Sequence, residues 1–573
     1  MTSSILPSGA SSRARRPVCL TTAALRRRIL FLAGALLLAA PAGHAVAPQE
    51  KEAPDPAAVA LGERLFLETR FAQFFATHSG GDPNATLFEG DPALDTTQTG
   101  DAPLPGPFAG QSMNCRACHL VDEHLDTPGG GVRTYADFAG RSPIPDRGDG
   151  HETTLRNSPS LVNSALPRPS KRFFLHLDGE FRSTRDLVTA TLTGRNYGWL
   201  PGEQDLAIAH VASVLRGDDG TGTLAQEFGG SYAAVLSGKD PSLPPELVLP
   251  GKFRINAAKA SDKQLVKAAA RLISAYVDQL RFSQDGDGHY NASPYDLFLA
   301  ANALPSAPEK NETPQEYAAH LAAALDALQA PDYIDASDGA FDFHDQAFVF
   351  GAEELEGLKV FLRGPPQAPG ATSGVGNCAA CHLLPDMTDF AFHNTGATQR
   401  EYDDLHGSGA FELLPVPAWA ERKADFDAFL PPTAKHPAAL GPFASVPVAD
   451  DPSKVDLGLW NVLFNPDVPK PQHGLRQLIG KSFGKGSKTE QLGKAIALFK
   501  TPSLRDLGQS GPYLHNALFG TLPDVVGFYS EVSVLARAGQ LRNADPRLAE
   551  IFLDGADEQA LAAFLAALAE DYS

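Results

Sequence analysis

Cys115-Arg-Ala-Cys118-His119 and its later counterpart Cys378-Ala-Ala-Cys381-His382 are the stretches that decide how this 573-residue chain is built. In a Cys-x-x-Cys-His unit the two thiols can add across the vinyl groups of haem, and the adjoining imidazole then reaches the iron as its proximal ligand. Apart from Cys19, every cysteine of the chain belongs to one of these units. The motifs therefore predict two covalently bound c-type haems, with His119 and His382 on the two irons.

Two other uses of paired cysteines are a zinc site and a redox dithiol. Zinc ribbons bring their Cys-x-x-Cys knuckles together within a few tens of residues, whereas about 260 residues separate these two motifs. A thioredoxin-type dithiol does not require the histidine that follows both pairs. Haem attachment is therefore the favoured interpretation.

The N-terminus predicts export. Arg26-Arg27-Arg28 precedes an apolar run over 29–40, and Ala45-Val46-Ala47 supplies the small residues of a cleavage site. We expect residues 1–47 to be a signal peptide cleaved near Ala47, which would direct the mature chain to the periplasm. The apolar run is well short of the roughly 20 residues that cross a bilayer, so no membrane span is predicted, although a retained N-terminal anchor stays open.

The charge balance is strongly acidic, with 48 Lys and Arg against 68 Asp and Glu and a net charge of −20. Residues 1–47 hold six arginines and no acid, so their removal would leave 42 basic residues and a net charge of −26. Such a surface repels phosphate backbones and favours a basic protein partner. Nucleic-acid binding is therefore not expected.

Helical periodicity dominates the pattern of apolar residues, and no long strand alternation occurs. Capping signals support two of the helices, because Ser261 is followed by Gln264 and Thr313 by Pro314 and Glu316. We expect a mainly α fold with helices at 57–76, from Ser261, from Thr313, at 353–362 and at 557–570.

The same three motifs occur twice along the chain, in the same order. Each Cys-x-x-Cys-His unit is followed by a Pro-Ser-Leu element and then by a histidine-containing turn; the elements are 157–161 and 500–504, and the turns are 175–179 and 514–516. This repeat predicts two cytochrome c-like haem domains with a helical insertion between them. The expected boundaries are 48–204 for the N-terminal haem domain, 205–345 for the helical connecting region and 346–573 for the C-terminal haem domain.

Several further motifs stand in an order that makes the chain similar to a known family. With the two cysteine motifs, they resemble the bacterial di-haem cytochrome c peroxidase and MauG superfamily; the segments are Leu61-Gly-Glu-Arg-Leu-Phe66, Arg156-Asn-Ser-Pro-Ser-Leu-Val-Asn163, Phe392-His-Asn-Thr-Gly396, Phe499-Lys-Thr-Pro-Ser-Leu-Arg505 and Gly511-Pro-Tyr-Leu-His515. The resemblance covers both haem segments. Within 205–345 only Ser293-Pro-Tyr-Asp296 matches.

The resemblance implies a division of labour between the haems. In that family the N-terminal haem meets hydrogen peroxide, while the C-terminal haem relays electrons from a small donor protein, here a cytochrome c or cupredoxin type. It also implies calcium between the domains, where Asn157 and the carbonyls of Ser510 and Pro512 take the ligand positions. Oxygen ligands of this kind suit calcium, although Asn157 as a simple turn cap stays open.

The chain departs from the peroxidases of that family at positions that handle electrons and protons. Leu177 stands where they place a tryptophan, and their glutamine and glutamate are absent from the matching register. Cleaving peroxide requires a group that moves a proton between its oxygens. His151 and Glu203 are the nearest catalytic candidates, with His151 two residues out of register and a solvent-facing loop histidine as its alternative.

A tyrosine stands where those peroxidases offer a distal methionine. Without the signal peptide the chain has two methionines, Met113 and Met387, and both lie beside their own haem motif. Tyr529 occupies the distal position by resemblance, as in MauG-type enzymes, and is predicted to bind the iron of the electron-transfer haem. The alternative is an ordinary packed aromatic residue. For His176 and His515 we expect support of a haem group or ligand rather than ligation, with a purely structural role open.

The leading functional hypothesis is a di-haem peroxidase-like oxidoreductase that reduces hydrogen peroxide. A MauG-like or oxygenase-like oxidation of a protein or organic substrate is a second hypothesis, and a non-enzymatic electron-transfer cytochrome is a third. They differ in whether one iron has an open or displaceable position. The oligomeric state stays open, with a homodimer as one candidate.

Overall fold

The computed structural model describes residues 57–95, 98–99, 102–103, 112–119, 141–164, 166, 173–341, 346–365, 368, 370–483 and 486–570. The predicted signal peptide and its cleavage site lie outside these residues. The chain from Glu52 to Ser573 clusters into one unit. The predicted domain boundaries therefore stay predictions.

The mainly α fold is confirmed within the described residues. The longer helices are α1 Ala57–Phe66, α4 Thr184–Leu192, α5 Gln204–Gly217, α8 Asp262–Val277, α9 Pro294–Ala301, α10 Pro314–Ala327, α11 Ala352–Leu362, α12 Ala397–His406, α17 Gln472–Phe483, α19 Leu522–Arg537 and α20 Gly555–Ala566. The short ones are α2 Gln73–His78, α3 Pro92–Asp95, α6 Thr223–Glu227, α7 Tyr232–Ser237, α13 Ala410–Leu413, α14 Trp419–Ala424, α15 Phe426–Phe429, α16 Leu459–Val462 and α18 Lys488–Gly493. Strands β1 Gln98–Thr99 and β2 Ala102–Pro103 pair antiparallel, as do β3 Phe392–His393 and β4 Phe499–Lys500.

Most of the predicted helices form where their patterns place them. Ser261 and Thr313 begin α8 and α10 with capping boxes, and α11 and α20 match the two amphipathic patterns. The helix expected over 57–76 is instead broken between α1 and α2. Glu68 and Arg70 lie in this break, where they pair with each other at 2.7 Å and Arg70 also reaches the buried Asp218 at 3.1 Å. These polar contacts replace the helical turn.

The same kind of helix crossing occurs in both halves of the chain. Helix α1 crosses α8, and α11 crosses α20, and in each pair a glycine stands at the crossing. A Cβ on Gly62 would lie 2.2 Å from the Leu272 carbonyl oxygen, and one on Gly357 would lie within van der Waals overlap of the Ala560 carbonyl oxygen. Glycine therefore permits backbone contact at the same place in both halves.

The helical region between the haem segments divides its apolar side chains between two cores. Helices α5, α7 and α8 share a core with α1 and Cys115, whereas α9 and α10 pack with α11, α20 and Cys378. A third core surrounds the buried Trp460 in the C-terminal half. The connecting region thus extends the packing around each cysteine motif.

A buried ion pair fastens α9 to the C-terminal segment. Arg505 binds both carboxylate oxygens of Asp296, at 3.0 and 3.1 Å, and its guanidinium lies 3.6 Å from the Tyr290 ring centre. Asp296 belongs to the one stretch of 205–345 that matches the family motifs. No helix within the described ranges is long and apolar enough to cross a membrane.

Candidate functional site

Each Cys-x-x-Cys-His motif folds as a single 3₁₀ turn, Cys115–Ala117 and Cys378–Ala380. In both, the backbone N–H of the histidine donates to the carbonyl of the first cysteine at 2.9 Å. The tight turn holds two thiols and one imidazole within five consecutive residues. The two motifs thus have one local geometry.

The four thiols are free, with no disulfide between them. Burial raises the pKa of Cys115, Cys378 and Cys381 to about 12 and that of Cys118 to about 11. Redox dithiols and zinc thiolates need the opposite shift, towards the ionised form. Two unpaired buried thiols beside a histidine therefore fit covalent haem attachment better than either alternative.

The two histidines are held as neutral imidazoles, the form that can bind iron. Burial lowers the pKa of His119 and that of His382 to about 4. Nδ1 of His382 lies 3.0 Å from the carbonyl oxygen of Met387, to which it can donate. This contact would leave Nε2 free to bind iron, and it keeps the backbone of Met387 beside the His382 ring.

The repeated Pro-Ser-Leu elements supply matching contacts to these histidines. The carbonyls of Pro159 and Pro502 lie near the His119 and His382 rings, respectively, and each opposes the lowering of the histidine pKa by burial. Nδ1 of His119 has no hydrogen-bond partner among the described residues. The sequence repeat thus places a proline carbonyl near the histidine of both motifs, but in the described part of the chain a hydrogen bond of the kind that orients a proximal histidine is present only at His382.

Tyr197 is a site residue that sequence reasoning missed. Its ring is buried, and its hydroxyl lies 3.2 Å from Sγ of Cys115. Trp199, two residues later, is also buried and donates from its indole N–H to the Phe71 carbonyl at 3.3 Å. The resemblance draws attention to a glutamate that this segment lacks, whereas its aromatic residues make the contacts.

Arginine side chains hold both predicted catalytic residues, Glu203 and His151, in place. The carboxylate of Glu203 accepts two hydrogen bonds from Arg147, at 2.8 and 3.0 Å, which hold the pKa of Glu203 below its ordinary value. Arg195 donates to the carbonyl of His151 at 2.8 Å and to both oxygens of Asp149. Glu203 is thus held ionised, while His151 stands on a loop fastened by Arg195.

The residues predicted to bind calcium come together only in part. The side-chain amide of Asn157 lies 2.5 Å from the carbonyl oxygen of Pro512, although the two are far apart in sequence. Ser510 is buried two residues before Pro512. Because amide nitrogen and oxygen exchange places by a flip, Oδ1 of Asn157 can face the same position. The group has the oxygen donors of a calcium site, without a carboxylate among these three.

A short path joins the two histidine sites. The backbone N–H of Lys500 donates to the carbonyl of Leu177 at 2.7 Å. Leu177 follows His176, which lies near enough to His119 to lower its pKa, and Lys500 lies two residues before Pro502 at the His382 ring. Leu177, which stands where the resemblance places a tryptophan, therefore contacts the second segment through its backbone.

Side chains also join the two segments. Arg156 binds Asp178 at 2.6 Å and Asp456 at 2.5 Å, across 300 residues in the second case. His515 stacks on Phe499 with ring centres 3.6 Å apart, and its main-chain carbonyl accepts from the Asn157 N–H at 2.8 Å. His515 is thus a buried packing residue at the contact, where burial lowers its pKa to about 3.

Tyr529 lies on α19, in the surroundings of the second cysteine motif. Burial raises the pKa of its phenol above the ordinary value, and the neighbouring thiols of Cys381 and Cys378 raise it further. Phe528, the preceding residue, belongs to a small core against which Tyr529 also packs. The structure thus places Tyr529 between this core and the second pair of thiols.

An ionic cluster lies beside the second motif. His393 is held between two carboxylates, with Nε2 2.8 Å from Asp389 and Nδ1 2.8 Å from Asp545. Arg547 pairs with Asp545 at 2.8 Å and donates to the Ala380 carbonyl at 2.6 Å. Burial acts to lower the pKa of His393, but the two carboxylates outweigh it and raise the pKa. The Phe392–Gly396 motif thus places an imidazole with a raised pKa near His382, with a guanidinium nitrogen of Arg547 also 2.7 Å from its Nδ1.

Comparison with known proteins yields short sequence matches. The chain is 38% identical over 76 residues to cytochrome-c peroxidase IdrP2 of Pseudomonas sp. (strain SCT), and 37% identical over 75 residues to cytochrome-c peroxidase IdrP1 of Denitromonas iodatirespirans. Each match takes 13% of this chain and covers only 18% and 19% of the respective relative. These relatives support the resemblance to the di-haem cytochrome c peroxidase and MauG superfamily. No family model matches the chain.

Structural comparison with solved structures gives the diheme peroxidase BthA from Burkholderia thailandensis, at a TM-score of 0.42 and 15% identity over 90% of this chain and 87% of that one. A MauG-like protein associated with microbial copper homeostasis gives a TM-score of 0.40 and 14% identity, over 92% of this chain and 96% of that one.

Proposed function

We propose that the chain is an exported di-haem c-type cytochrome that acts as a peroxidase-like oxidoreductase. The reaction takes two electrons and two protons to convert one hydrogen peroxide into two waters. The observation that carries the proposal is the pair of matching turns, each with two free thiols and a histidine whose pKa burial lowers to about 4. The names of the sequence relatives support the same chemistry.

When bound, each haem would supply an iron that exchanges single electrons. Cys115 and Cys118 would hold one porphyrin and Cys378 and Cys381 the other, while His119 and His382 take the proximal positions. Partial burial lowers the pKa of both histidines to about 4, so their imidazoles stay neutral and available to a metal. The chain thereby fixes the position of each group before any substrate enters.

Proton handling is assigned to His151 rather than to Glu203. Arg147 keeps Glu203 ionised, so this carboxylate is poorly suited to donate a proton at neutral pH. A histidine can both accept and donate a proton in that range. A His151→Ala variant should therefore lose more peroxide turnover than Glu203→Gln, as measured by the rate of donor oxidation.

The backbone contact between Leu177 and Lys500 is the proposed electron path. It joins the surroundings of His119 to those of His382 through one hydrogen bond of 2.7 Å. A donor protein with a basic face suits the net charge of −20, since opposite charges speed encounter. Raising the ionic strength should then slow reduction by such a donor, as followed by stopped-flow absorbance.

MauG-like oxidation of a protein or organic substrate is the second candidate function. It is favoured by one observation, the place of Tyr529 beside the second cysteine motif. A phenolate ligand favours ferric iron and lowers the potential compared with methionine. The two candidates share the haem sites and differ in what supplies the electrons.

The deciding experiment is EPR with optical spectroscopy of the haem-loaded protein, before and after stoichiometric peroxide. We expect a high-spin ferric signal that is lost when peroxide is added. Two low-spin haems that do not react would contradict enzymatic activity and leave only electron transfer. Addition of a reduced donor afterwards separates peroxidase turnover from oxidation of another substrate.

Covalent attachment has its own test. Haem staining on a denaturing gel should stay positive, and replacing Cys115 and Cys118 by Ala should remove one haem and retain the other. Extraction of the haem by acid acetone from the unaltered protein would contradict thioether bonds. Cleavage near Ala47 is checked by N-terminal sequencing of the periplasmic fraction.

A further inference from the structure

A cavity of about 470 Å³ lies between the start of α4 and the second half of α8. Its volume falls in the range of about 300–1,000 Å³ that is usual for small-molecule sites. None of the cysteine-motif residues lines it. The lining residues are Phe173, Arg182, Ser183, Thr184, Arg185, Phe253, Arg271, Ser274, Ala275, Asp278 and Arg281.

The cavity is basic although the chain as a whole is acidic. Four arginines and one aspartate line it, a local excess of three positive charges in a chain of net charge −20. Burial raises the pKa of Asp278, so this carboxylate is an imperfect counterion for the arginines around it. Such a concentration of cations is unfavourable unless anions offset it.

The lining arginines have no carboxylate partner within salt-bridge distance among the residues that the structure describes; they are Arg182, Arg185, Arg271 and Arg281. The other acid of the α4 start, Asp186, is engaged by Lys470 at 2.6 Å and does not line the cavity. The nearby carboxylate is therefore paired elsewhere, and within the described residues Arg281 donates only its Nε–H, to the main-chain carbonyl of Asp278 at 3.0 Å.

Packing holds two of the arginines in place. The guanidinium of Arg182 lies 5.1 Å from the Phe174 ring centre, and its Nε is buried without a hydrogen-bond partner in the described part of the chain. Arg271 lies 4.5 Å from the Phe253 ring centre and donates one N–H to the Lys252 carbonyl at 2.6 Å. Stacked guanidinium groups keep their remaining N–H groups for a ligand.

The hydroxyl groups of the cavity are already engaged. Ser183 accepts from the Asp186 N–H at 3.2 Å as the cap of α4, Thr184 donates to Asp278 at 3.3 Å, and Ser274 donates to the Ala270 carbonyl at 2.6 Å. Recognition is therefore left to the guanidinium groups, with support from the positive N-terminal end of the nine-residue α4.

We propose that this cavity binds a small organic anion with at least two carboxylate or phosphate groups. Guanidinium forks match the paired oxygens of both groups, and the local charge excess suits more than one of them. Phe173 and Phe253 provide an apolar wall for the carbon skeleton. The site goes beyond the proposed function, because it lies apart from both cysteine motifs and needs no iron.

Isothermal titration calorimetry of the haem-loaded protein tests the site, with citrate, inorganic phosphate and acetate as probes at low ionic strength. We expect one citrate per chain, affinity for acetate weaker by about tenfold or more, and weaker binding as salt is added. Citrate binding tighter than inorganic phosphate supports the proposal, whereas phosphate binding tighter than citrate would show a site for a single anionic group and would overturn it. Equal affinity for acetate and citrate would overturn it.

Arg271→Gln should weaken citrate binding by about tenfold or more, because each guanidinium contact to an anion is charge-assisted. Arg476→Gln is the matched control, since Arg476 is exposed on α17 outside the cavity. If Arg271→Gln fails to fold, Ala275→Glu places a carboxylate on the same wall and should have the same effect. Citrate binding unaffected by a folded cavity variant, or absent from the haem-loaded protein, would overturn the proposal.

Discussion

We propose that Tyr529 sets the electronic character of the haem expected at the second cysteine motif. It lies near Cys378 and Cys381, whereas the carbonyl of Met387 lies at the ring of His382, the proposed proximal ligand. The other methionine, Met113, is buried in the core around the first motif. A tyrosine is therefore the better placed candidate for the distal ligand, as the sequence predicts.

Replacing Tyr529 with Phe should change the ferric spectrum of one haem, because the phenolate would be lost from the iron. Tyr529→Met should raise the potential of that haem, since a thioether favours the reduced state. Tyr333→Phe, at an exposed tyrosine, is the control and should leave both haems unaltered. A near-infrared band of methionine ligation in the unaltered protein, or an unchanged low-spin signal in Tyr529→Phe, would contradict the assignment.

His393 should make folding stability depend on pH. Asp389 and Asp545 raise its pKa in the folded state above the unfolded value of about 6.5, so its stabilising effect is complete below that pH and is lost as the pH rises through the folded pKa. We expect His393→Gln to lower the free energy of unfolding by about 1–3 kcal/mol in mildly acidic buffer.

The difference between His393→Gln and the unaltered protein should shrink in alkaline buffer, as measured by denaturant unfolding across the pH range. His473→Gln, at an exposed histidine of α17, serves as the control and should show little dependence on pH. A loss of stability from His393→Gln that is the same at every pH would show that the imidazole is neutral between its carboxylates.

At the scale of elements, the molecule uses one helix crossing twice. Helix α1 packs on α8 and α11 on α20, with Gly62 and Gly357 at the contacts. In each half the two crossing helices form part of the core against which the cysteine turn packs. Helix α8, which completes the N-terminal crossing, comes from 205–345, the region predicted to be an insertion.

Gly357→Ala should destabilise the protein by about 1–3 kcal/mol or more, because the added methyl group would meet backbone rather than a movable side chain. Gly62→Ala should behave alike. Gly480→Ala on α17 is the matched control: a Cβ there meets no atom within 4 Å, so alanine should be neutral or stabilising by up to about 1 kcal/mol. Thermal unfolding followed by circular dichroism measures all three, and equal effects would contradict the crossing argument.

At the scale of the whole molecule, the two haem segments meet through polar contacts. Arg156 is shared between Asp178 and Asp456, and the Asn157 side chain reaches Pro512. A buried charge that loses its partner is costly, so these contacts tie the relative placement of the segments to their ionisation. A cation at Asn157 would strengthen the same junction.

Removal of calcium should lower the melting temperature of the haem-loaded protein by several degrees, because a ligand that binds only the folded state stabilises it. The shift should disappear in Asn157→Leu, which has lost the side-chain oxygen but keeps the backbone carbonyls. Metal analysis of protein never exposed to chelator gives the stoichiometry. Absence of calcium from that protein would contradict the site.

The sequence by itself determined the features whose chemistry is local. Two thiols and an imidazole within five residues define a haem-attachment motif whatever the surrounding fold. Capping residues also predicted the starts of α8 and α10. Helical periodicity likewise predicted a mainly α fold, because it reflects one face of one helix. The family resemblance also rests on short motifs of this kind.

Only the tertiary structure decided which distant groups meet. It brought Leu177 to Lys500 and Asn157 to Pro512, assigned α8 to the N-terminal core, and gathered Arg182 and Arg271 around one cavity. Contacts across hundreds of residues depend on how whole helices pack, and no local pattern records that packing. The ionisation of Glu203 also depends on the tertiary structure, since Arg147, which keeps the carboxylate ionised, lies 56 residues away in the sequence.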